Sequence, residues 1–322
     1  MLPHLFFAGM GGMGDCLHQR AVLRQLMKRY TVTLATPWPA MYHDLIAEGL
    51  IVVRRGIALR TQMKNEQREA AKFAARHPLT RSPNGMRAAY SGTQVLRTPS
   101  KTILEVMCDV TGTSFADADY RLPVPDAWTD LLRASLGWQG LAALIGTPKP
   151  IMFYRPPVMR PEWRGGALRN PDIAAHNFLY NEIRDQFFVI SIADLEEGKE
   201  WLAPGLETKA DLSFHRGELV FETMAALAKL SDLVFTPSGF AAILGPAVGT
   251  PTLSLIGGYE DVHCHDSGAK FAPYLAIGPR VGCSCWTSAC QKSCDKSLDM
   301  DAAKAAVLKF VSEECTHIGD NT

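Results

Sequence analysis

The chain lacks any uninterrupted apolar run of about 18 residues, the minimum for a membrane-spanning helix. Its longest candidate, Phe240 to Ile256, is broken by Gly245, Pro246, Gly249 and Pro251. It also lacks the opening of a secretory signal, since MLPHLFFAGMGG has neither a basic start nor a small-residue cleavage site. Net charge is missing from the total, with 33 basic and 33 acidic residues among 322, so no whole-chain field draws it to nucleic acid. Eight cysteines are too few for a small disulfide-stapled scaffold. A hydrophobic share of 47% is too high for a disordered chain. What remains is a folded protein long enough for two cores, expected in the cytoplasm with reduced thiols.

The elements that can be read are those of an α/β protein. A buried strand (Leu5 to Ala8) meets a glycine-rich turn (Gly9 to Gly14) and a helix from about Asp15 to Tyr30, where Leu23, Leu26, Met27 and Tyr30 share one face. A strand Thr31 to Thr36, a helix near Met41 to Glu48 and a strand Ile51 to Arg54 follow. Such alternation implies parallel strands joined by crossover helices. Pro123, Pro125, Pro148 and Pro150 mark loops, and the expected domain boundary falls near residue 148. The second half restarts with strand Ile151 to Tyr154, an arginine-bearing loop from Arg155 to Pro171, and a helix near Ile173 to Asp185. Strands Phe187 to Ile192, Leu233 to Thr236 and Thr252 to Ile256, with a helix from about Gly217 to Leu230, complete it. Two open sheets in tandem place a cleft between them.

Two glycine loops draw the chemistry. Gly9, Gly11 and Gly14 fit the G-x-G-x-x-G spacing of a dinucleotide fingerprint after a strand and before a helix. An NAD(P) oxidoreductase would also need an acid, or an arginine for the phosphorylated cofactor, at the end of the second strand; that strand ends Leu34-Ala35-Thr36-Pro37-Trp38. The loop still offers backbone N–H groups at a helix start with Asp15 at its mouth, as a functional carboxylate or as a plain N-cap. The later turn Pro237-Ser238-Gly239-Phe240 also follows a buried strand and opens a helix, so its amides and the Ser238 hydroxyl can face a diphosphate.

The neutral total hides a basic stretch. Between Arg54 and Lys101 stand eleven basic residues and two acidic ones, a local excess of nine. Arg60, Lys64, Arg68, Lys72 and Arg76 recur every four residues through a helix-favouring sequence, which makes them one stripe. The stripe is either a solvated helix face or a landing strip for a phosphate-bearing partner. Near the C-terminus Cys283, Cys285, Cys290 and Cys294 lie within twelve residues, downstream of His263-Cys264-His265. Four thiols so close suggest a metal, most simply structural zinc, with an iron–sulfur cluster or free or disulfide-linked thiols as alternatives. Cys16, Cys108 and Cys315 read as ordinary buried thiols.

Three blocks in order, GGMGDCLHQRAVLRQL, then ELVFETMAALAKLSDLVFTPSG with AVGTPTLSLIGG, then the cysteine-bearing tail, resemble the bacterial heptosyltransferases, the family 9 glycosyltransferases of lipopolysaccharide assembly. The resemblance is weakest between about residues 55 and 145. It implies a GT-B fold, two Rossmann-like domains facing each other across a cleft: residues 1–148 for the acceptor, and 149–322 for the nucleotide sugar, with a cysteine-rich segment and a final helix near Asp299 to Glu313 that crosses back onto the first domain. It also implies inverting transfer from an ADP- or UDP-linked sugar without a catalytic metal. Asp15 matches the family's base, and Ser238 and Gly239 match its donor-phosphate loop, with Phe240 adjoining. Arg155, Arg160 and Arg164 stand in the loop where the family's donor-binding lysine is expected. On the acceptor side stand Gly11, Gly12 and Gly14 with Arg60, Lys64 and Arg68. The acceptor would be anionic, a phosphorylated glycan or lipid-linked saccharide at the inner face of the membrane, or, less favoured, a modified nucleic acid. The chain departs from the family at the donor loop, where Pro237 replaces a common aspartate and Phe240 to Ile243 offers no histidine. That departure keeps a metal-stabilised binding protein without catalysis as the rival reading.

Overall fold

The computed structural model describes residues 2–54, 85–87, 101–160, 169–258, 260–281 and 295–315. The chain forms two compact units, Met1–Pro123 and Val124–Thr322. In the first, strands β1 (His4–Ala8), β2 (Thr31–Thr36), β3 (Ile51–Arg54) and β4 (Gly85–Met86) make a parallel sheet in the order β3-β2-β1-β4. Helix α1 (Met13–Leu26) crosses from β1 to β2, and α2 (His43–Ala47), preceded by a 3-10 turn at Pro39–Tyr42, crosses from β2 to β3. Leu17, Leu23 and Leu26 of α1 are fully buried, each adding about 1.5–3 kcal/mol of hydrophobic stabilisation.

The same helix also buries a charge. Arg20 is 0% exposed. It is held bidentately by Asp44 at 2.9 and 2.7 Å, and it donates to the carbonyls of Met41, Tyr120 and Arg121. A buried guanidinium is tolerable only when its N–H groups are matched in this way. Burial alone would raise the Asp44 carboxyl, but the hydrogen bonds and charge of Arg20, helped by Arg24, hold it below its ordinary range. Helix α3 (Ile103–Thr111) has a reciprocal capping box: Thr102 Oγ1 accepts from Glu105 N at 3.2 Å, and Glu105 Oε2 accepts from Thr102 N at 2.5 Å. It ends at Gly112, whose φ of 62° suits glycine.

In the second unit β5 (Ile151–Tyr154), β7 (Phe188–Ile192), β9 (Leu212–Phe214), β10 (Leu233–Pro237), β11 (Thr252–Leu255) and β12 (Tyr274–Ile277) make a parallel sheet in the order β12-β11-β10-β5-β7-β9. A two-stranded ribbon, β6 (Val158–Met159) with β8 (Trp201–Leu202), lies outside it. Its helices are α4 (Asp126–Gly146, broken at Gly137), α5 (Ile173–Ile183), α6 (Phe221–Leu230), α7 (Phe240–Val248) and α8 (Met300–Glu314). The core stacks Tyr154 on Tyr180 at 4.6 Å and on Phe235 at 5.7 Å.

One expectation differs. The division between units falls before α4, not near residue 148. A proline marks a local break in the backbone pattern, whereas unit membership follows burial: Trp128 of α4 packs edge-on against Phe221 of α6 at 5.8 Å. The final helix packs in the core of the second unit. Ala303, Val307 and Val311 of α8 are buried in the same core as Tyr180, Ile183 and Val189, and Lys304 pairs with Glu182 of α5 at 2.8 Å.

Candidate functional site

In an open parallel sheet, ligands bind beyond the carboxyl ends of the strands where the strand order reverses. In the second unit the chain winds from β5 outward through β7 and β9, then returns to β10 on the other side of β5 and winds outward to β12. The reversal therefore lies between β5 and β10, whose adjacency continues past the strand end, since Arg155 N donates to Phe235 O at 2.9 Å. Arg155 follows β5, and Ser238-Gly239 follows β10. Helix α7 starts with Gly239 as its N-cap, at φ 145°, and no side chain caps it. A φ of that sign strains any residue with a Cβ. The leading amides of α7 and its dipole thus face outward at the switch point.

Among the described residues Arg155 is the cation best placed to meet an anion there. Its Nη1 donates to Ile192 O at 3.3 Å, and among the described residues no carboxylate lies within ion-pairing distance. It is half-buried, and burial, together with the charge of Arg160, holds it below its ordinary value against the pull of Asp194 and Glu200. Arg160 is different, because its Nε pairs with the buried Glu200 at 3.0 Å. Beside them Ser191 Oγ lies 2.8 Å from His215 Nε2 at the end of β7.

The loop at Ser238 carries a cluster for which no motif gave a signal. Parallel pairing of β10 with β11 sets Pro237 opposite Leu255, which brings the loop after β11 alongside Ser238. Glu260, only 2% exposed, takes a 2.6 Å ion pair from Arg169 on Oε1. Its Oε2 accepts from Ser238 Oγ and lies 2.7 Å from His265 Nε2. Burial would raise the Glu260 carboxyl, but the Arg169 charge and the bonds from His265 and Ser238 outweigh it and leave the group far below the ordinary carboxylate range. Ser238, His265 and Glu260 are not a nucleophile triad. Serine and carboxylate both meet Nε2 of the imidazole, whereas a relay needs them on opposite nitrogens.

The first unit repeats the arrangement, with its strand order reversing between β1 and β4 so that the glycine loop after β1 lies at the switch point. Gly9 is required by close approach, since a Cβ there would stand 2.6 Å from Ala35 O. Trp38 Nε1 donates to Gly11 O at 2.9 Å and fixes the loop. Gly12, not Asp15, is the N-cap of α1; Asp15 is an acid of its first turn. A Cβ on Gly12 would meet Asp15 Oδ2 at 2.6 Å, so the glycine leaves room for that carboxylate over the helix start. Gly14 lies within α1.

Phe240 is half-buried, with its ring 6.3 Å from Phe221. Arg60, Lys64, Arg68, Arg164 and the four cysteines Cys283, Cys285, Cys290 and Cys294 lie outside the described residues. Cys16, Cys108, Cys264 and Cys315 are buried and form no disulfide among the described residues. Burial pushes Cys264 up to about 12, which makes it a core thiol despite its flanking histidines. Among the described residues no three His, Cys, Asp or Glu gather as a metal site needs, and no helix is long and apolar enough to cross a membrane.

No family model and no curated protein sequence matches the chain. Solved structures do match. A glycosyl transferase family 9 protein from Veillonella parvula is 12% identical with a TM-score of 0.54, over 85% of this chain and 86% of that one. The ADP-heptose lipopolysaccharide heptosyltransferase II of E. coli is 11% identical with a TM-score of 0.53, over 95% and 99%. The iron-containing dodecameric glycosyltransferase TibC of enterotoxigenic E. coli is 12% identical with a TM-score of 0.56, over 97% and 76%. Two parallel sheets, each with a glycine-bearing loop at its switch point, accompany a fold shared with these structures, the GT-B fold.

Proposed function

We propose that the protein is a glycosyltransferase that moves a sugar from a nucleoside diphosphate to a hydroxyl of an anionic acceptor, with inversion and without a catalytic metal. The observation that carries this reading is Arg155: a half-buried guanidinium with no ion-pair partner among the described residues, at the switch point where an uncapped helix begins. Helix amides and arginine together are what a departing diphosphate needs, because both meet charge that grows as the glycosidic C–O bond breaks. On this reading Asp15 takes the proton of the acceptor hydroxyl while its oxygen attacks the anomeric carbon from the side opposite the diphosphate. A single displacement of this kind inverts the anomeric centre. The matching fold of an ADP-heptose transferase supports a nucleotide sugar as co-substrate, ADP- or UDP-linked.

The acceptor is proposed to be a phosphorylated glycan or a lipid-linked saccharide, drawn by the basic stretch that holds Arg60, Lys64 and Arg68. A cytoplasmic protein touching the inner face of the membrane fits such a substrate. The donor chemistry of Cys283, Cys285, Cys290 and Cys294 suits zinc or iron in a tetrahedral thiolate site. The like fold of the iron-containing TibC supports iron as the alternative to zinc. The metal would pin its segment and take no part in transfer.

The test is the melting temperature against ADP, UDP, GDP, CDP and dTDP and their sugars, with NAD and NADP as controls. A ligand at 100 times its Kd adds about 2.7 kcal/mol of stability. A rise specific to one nucleotide and its sugar is expected. No response would favour the binding-protein reading, and a rise only with NAD or NADP would replace this proposal by an oxidoreductase.

A further inference from the structure

The hydroxyl of Ser238 has one proton, and Glu260 takes it. A carboxylate held as far below its ordinary range as Glu260 is ionised at neutral pH, and an ionised carboxylate only accepts. The contact between Ser238 Oγ and Glu260 Oε2 therefore has serine as donor. The same rule fixes the imidazole. His265 Nε2, 2.7 Å from that oxygen, must carry a hydrogen, so its 3.3 Å approach to Ser238 Oγ also comes from the N–H side. Ser238 has given its proton inward and receives on one lone pair. What it offers outward, from its half-buried place before α7, is the other lone pair.

A diphosphate oxygen is also an acceptor, so Ser238 in this state has nothing to give it. The amides of α7 and Arg155 do have N–H donors. We infer that Ser238 reads a hydroxyl of the donor's sugar, accepting its hydrogen bond, while the phosphates are held by Arg155 and the start of α7. The inference rests on the donor-site reading above and assigns the partners of Ser238 within that site. Glu260 is then a positioning residue that fixes the direction of the serine proton, and Arg169 and His265 hold it in turn. The cluster would favour a sugar hydroxyl over a phosphate oxygen at this position, because the phosphate oxygen brings no hydrogen to complete it.

Binding is measured by calorimetric titration of the wild type, Ser238→Ala, Ser238→Thr and Glu260→Gln. The probes are the nucleoside diphosphate that raises the melting temperature most and its commercially available sugar conjugates. Ser238→Ala should weaken the conjugate about five- to thirtyfold, a hydrogen bond of about 1–2 kcal/mol, and leave the bare diphosphate within about twofold. Ser238→Thr keeps both the proton and the lone pair, and should bind as the wild type does. Glu260→Gln tests the proton itself. Because Arg169 sits on Oε1 and demands an acceptor there, the new amide nitrogen takes the Oε2 position, where one of its hydrogens goes to Ser238 and the other to His265 Nε2, whose own hydrogen moves to Nδ1. The serine proton then turns outward, and the bare diphosphate should bind more tightly relative to its conjugate. Equal losses of diphosphate and conjugate in Ser238→Ala would overturn the inference while leaving the donor site in place, as would an unchanged conjugate affinity. A wild type that binds no nucleoside diphosphate would overturn the site reading and this inference with it.

Discussion

Arg155→Ala separates a binding role from a structural one, because the two predict opposite balances of effect. The single hydrogen bond of its side chain among the described residues is a long one, 3.3 Å to Ile192 O. The half-buried charge is matched by no carboxylate within ion-pairing range. Removing it should therefore cost less than about 1 kcal/mol of stability, since one weak neutral acceptor is all that loses its partner. Binding should suffer much more. A unit charge about 4 Å from a phosphate, at an effective dielectric of about 20, interacts by about 4 kcal/mol before desolvation is subtracted. Hydrogen bonds to charged groups contribute about 1.5–3 kcal/mol net. At 1.4 kcal/mol per decade this is a Kd for the nucleoside diphosphate raised about ten- to hundredfold.

The assay is calorimetric titration of wild type, Arg155→Ala and Arg155→Lys, with urea unfolding of each. Lysine keeps the charge and loses the planar fork, so Arg155→Lys should fall between the other two. A Kd for Arg155→Ala within threefold of wild type would refute the reasoning. So would a stability loss large enough to explain the weaker binding, because Arg155 would then be a structural residue of the β5 end.

Asp15→Asn should lower turnover by about 10²–10⁴, the usual worth of a general base, while donor affinity stays unchanged; near wild-type turnover would leave Asp15 a first-turn acid serving the α1 dipole. Asp44→Ala strands the charge of Arg20, which is 0% exposed, and should cost about 3–5 kcal/mol in urea unfolding. A loss under about 1 kcal/mol would show that Arg20 finds another partner. Both Asp44 and Glu260 are held below their ordinary values, 3.8 and 4.5. The unfolded chain therefore takes up protons first, and stability is complete above those values and falls as pH drops through and below them. Glu260→Gln should flatten that acid limb, and a slope equal to that of the wild type would remove Glu260 as a source of it.

What was legible in the sequence were the features carried by local rules. Short apolar runs bounded by glycine or proline gave β1, β2, β3 and β5 within a residue of their observed ends, and the glycine turns gave both switch-point loops. Chain ends of helices were less sharp: α1 stops at Leu26, not Tyr30, because residues 27–30 turn into β2. The two-residue β8 and the three-residue β9 were not legible at all. They are too short to show a period and exist through pairing with β6 and β7. The domain boundary failed for a related reason, since α4 announces its partner only once Trp128 meets Phe221.

The same distinction explains why half of the candidate site could be read and the other half could not. Ser238 and Gly239 were found because a strand, a glycine and a helix adjoin in sequence. The partners that decide what Ser238 can do come from elsewhere: Glu260 and His265 from beyond β11, and Arg169 from ahead of α5. Arg169 and Glu260 are 91 residues apart, and no spacing rule joins them. The departures noted at the loop, proline in place of an aspartate and no histidine within the next residues, looked like decay while only the linear sequence was considered. In the folded unit a carboxylate and an imidazole stand on the Ser238 hydroxyl all the same. They arrive through the parallel pairing of β10 with β11, so the chemistry at this loop is set by sheet register, and the catalytic reading keeps the carboxylate and imidazole that the local motif lacks.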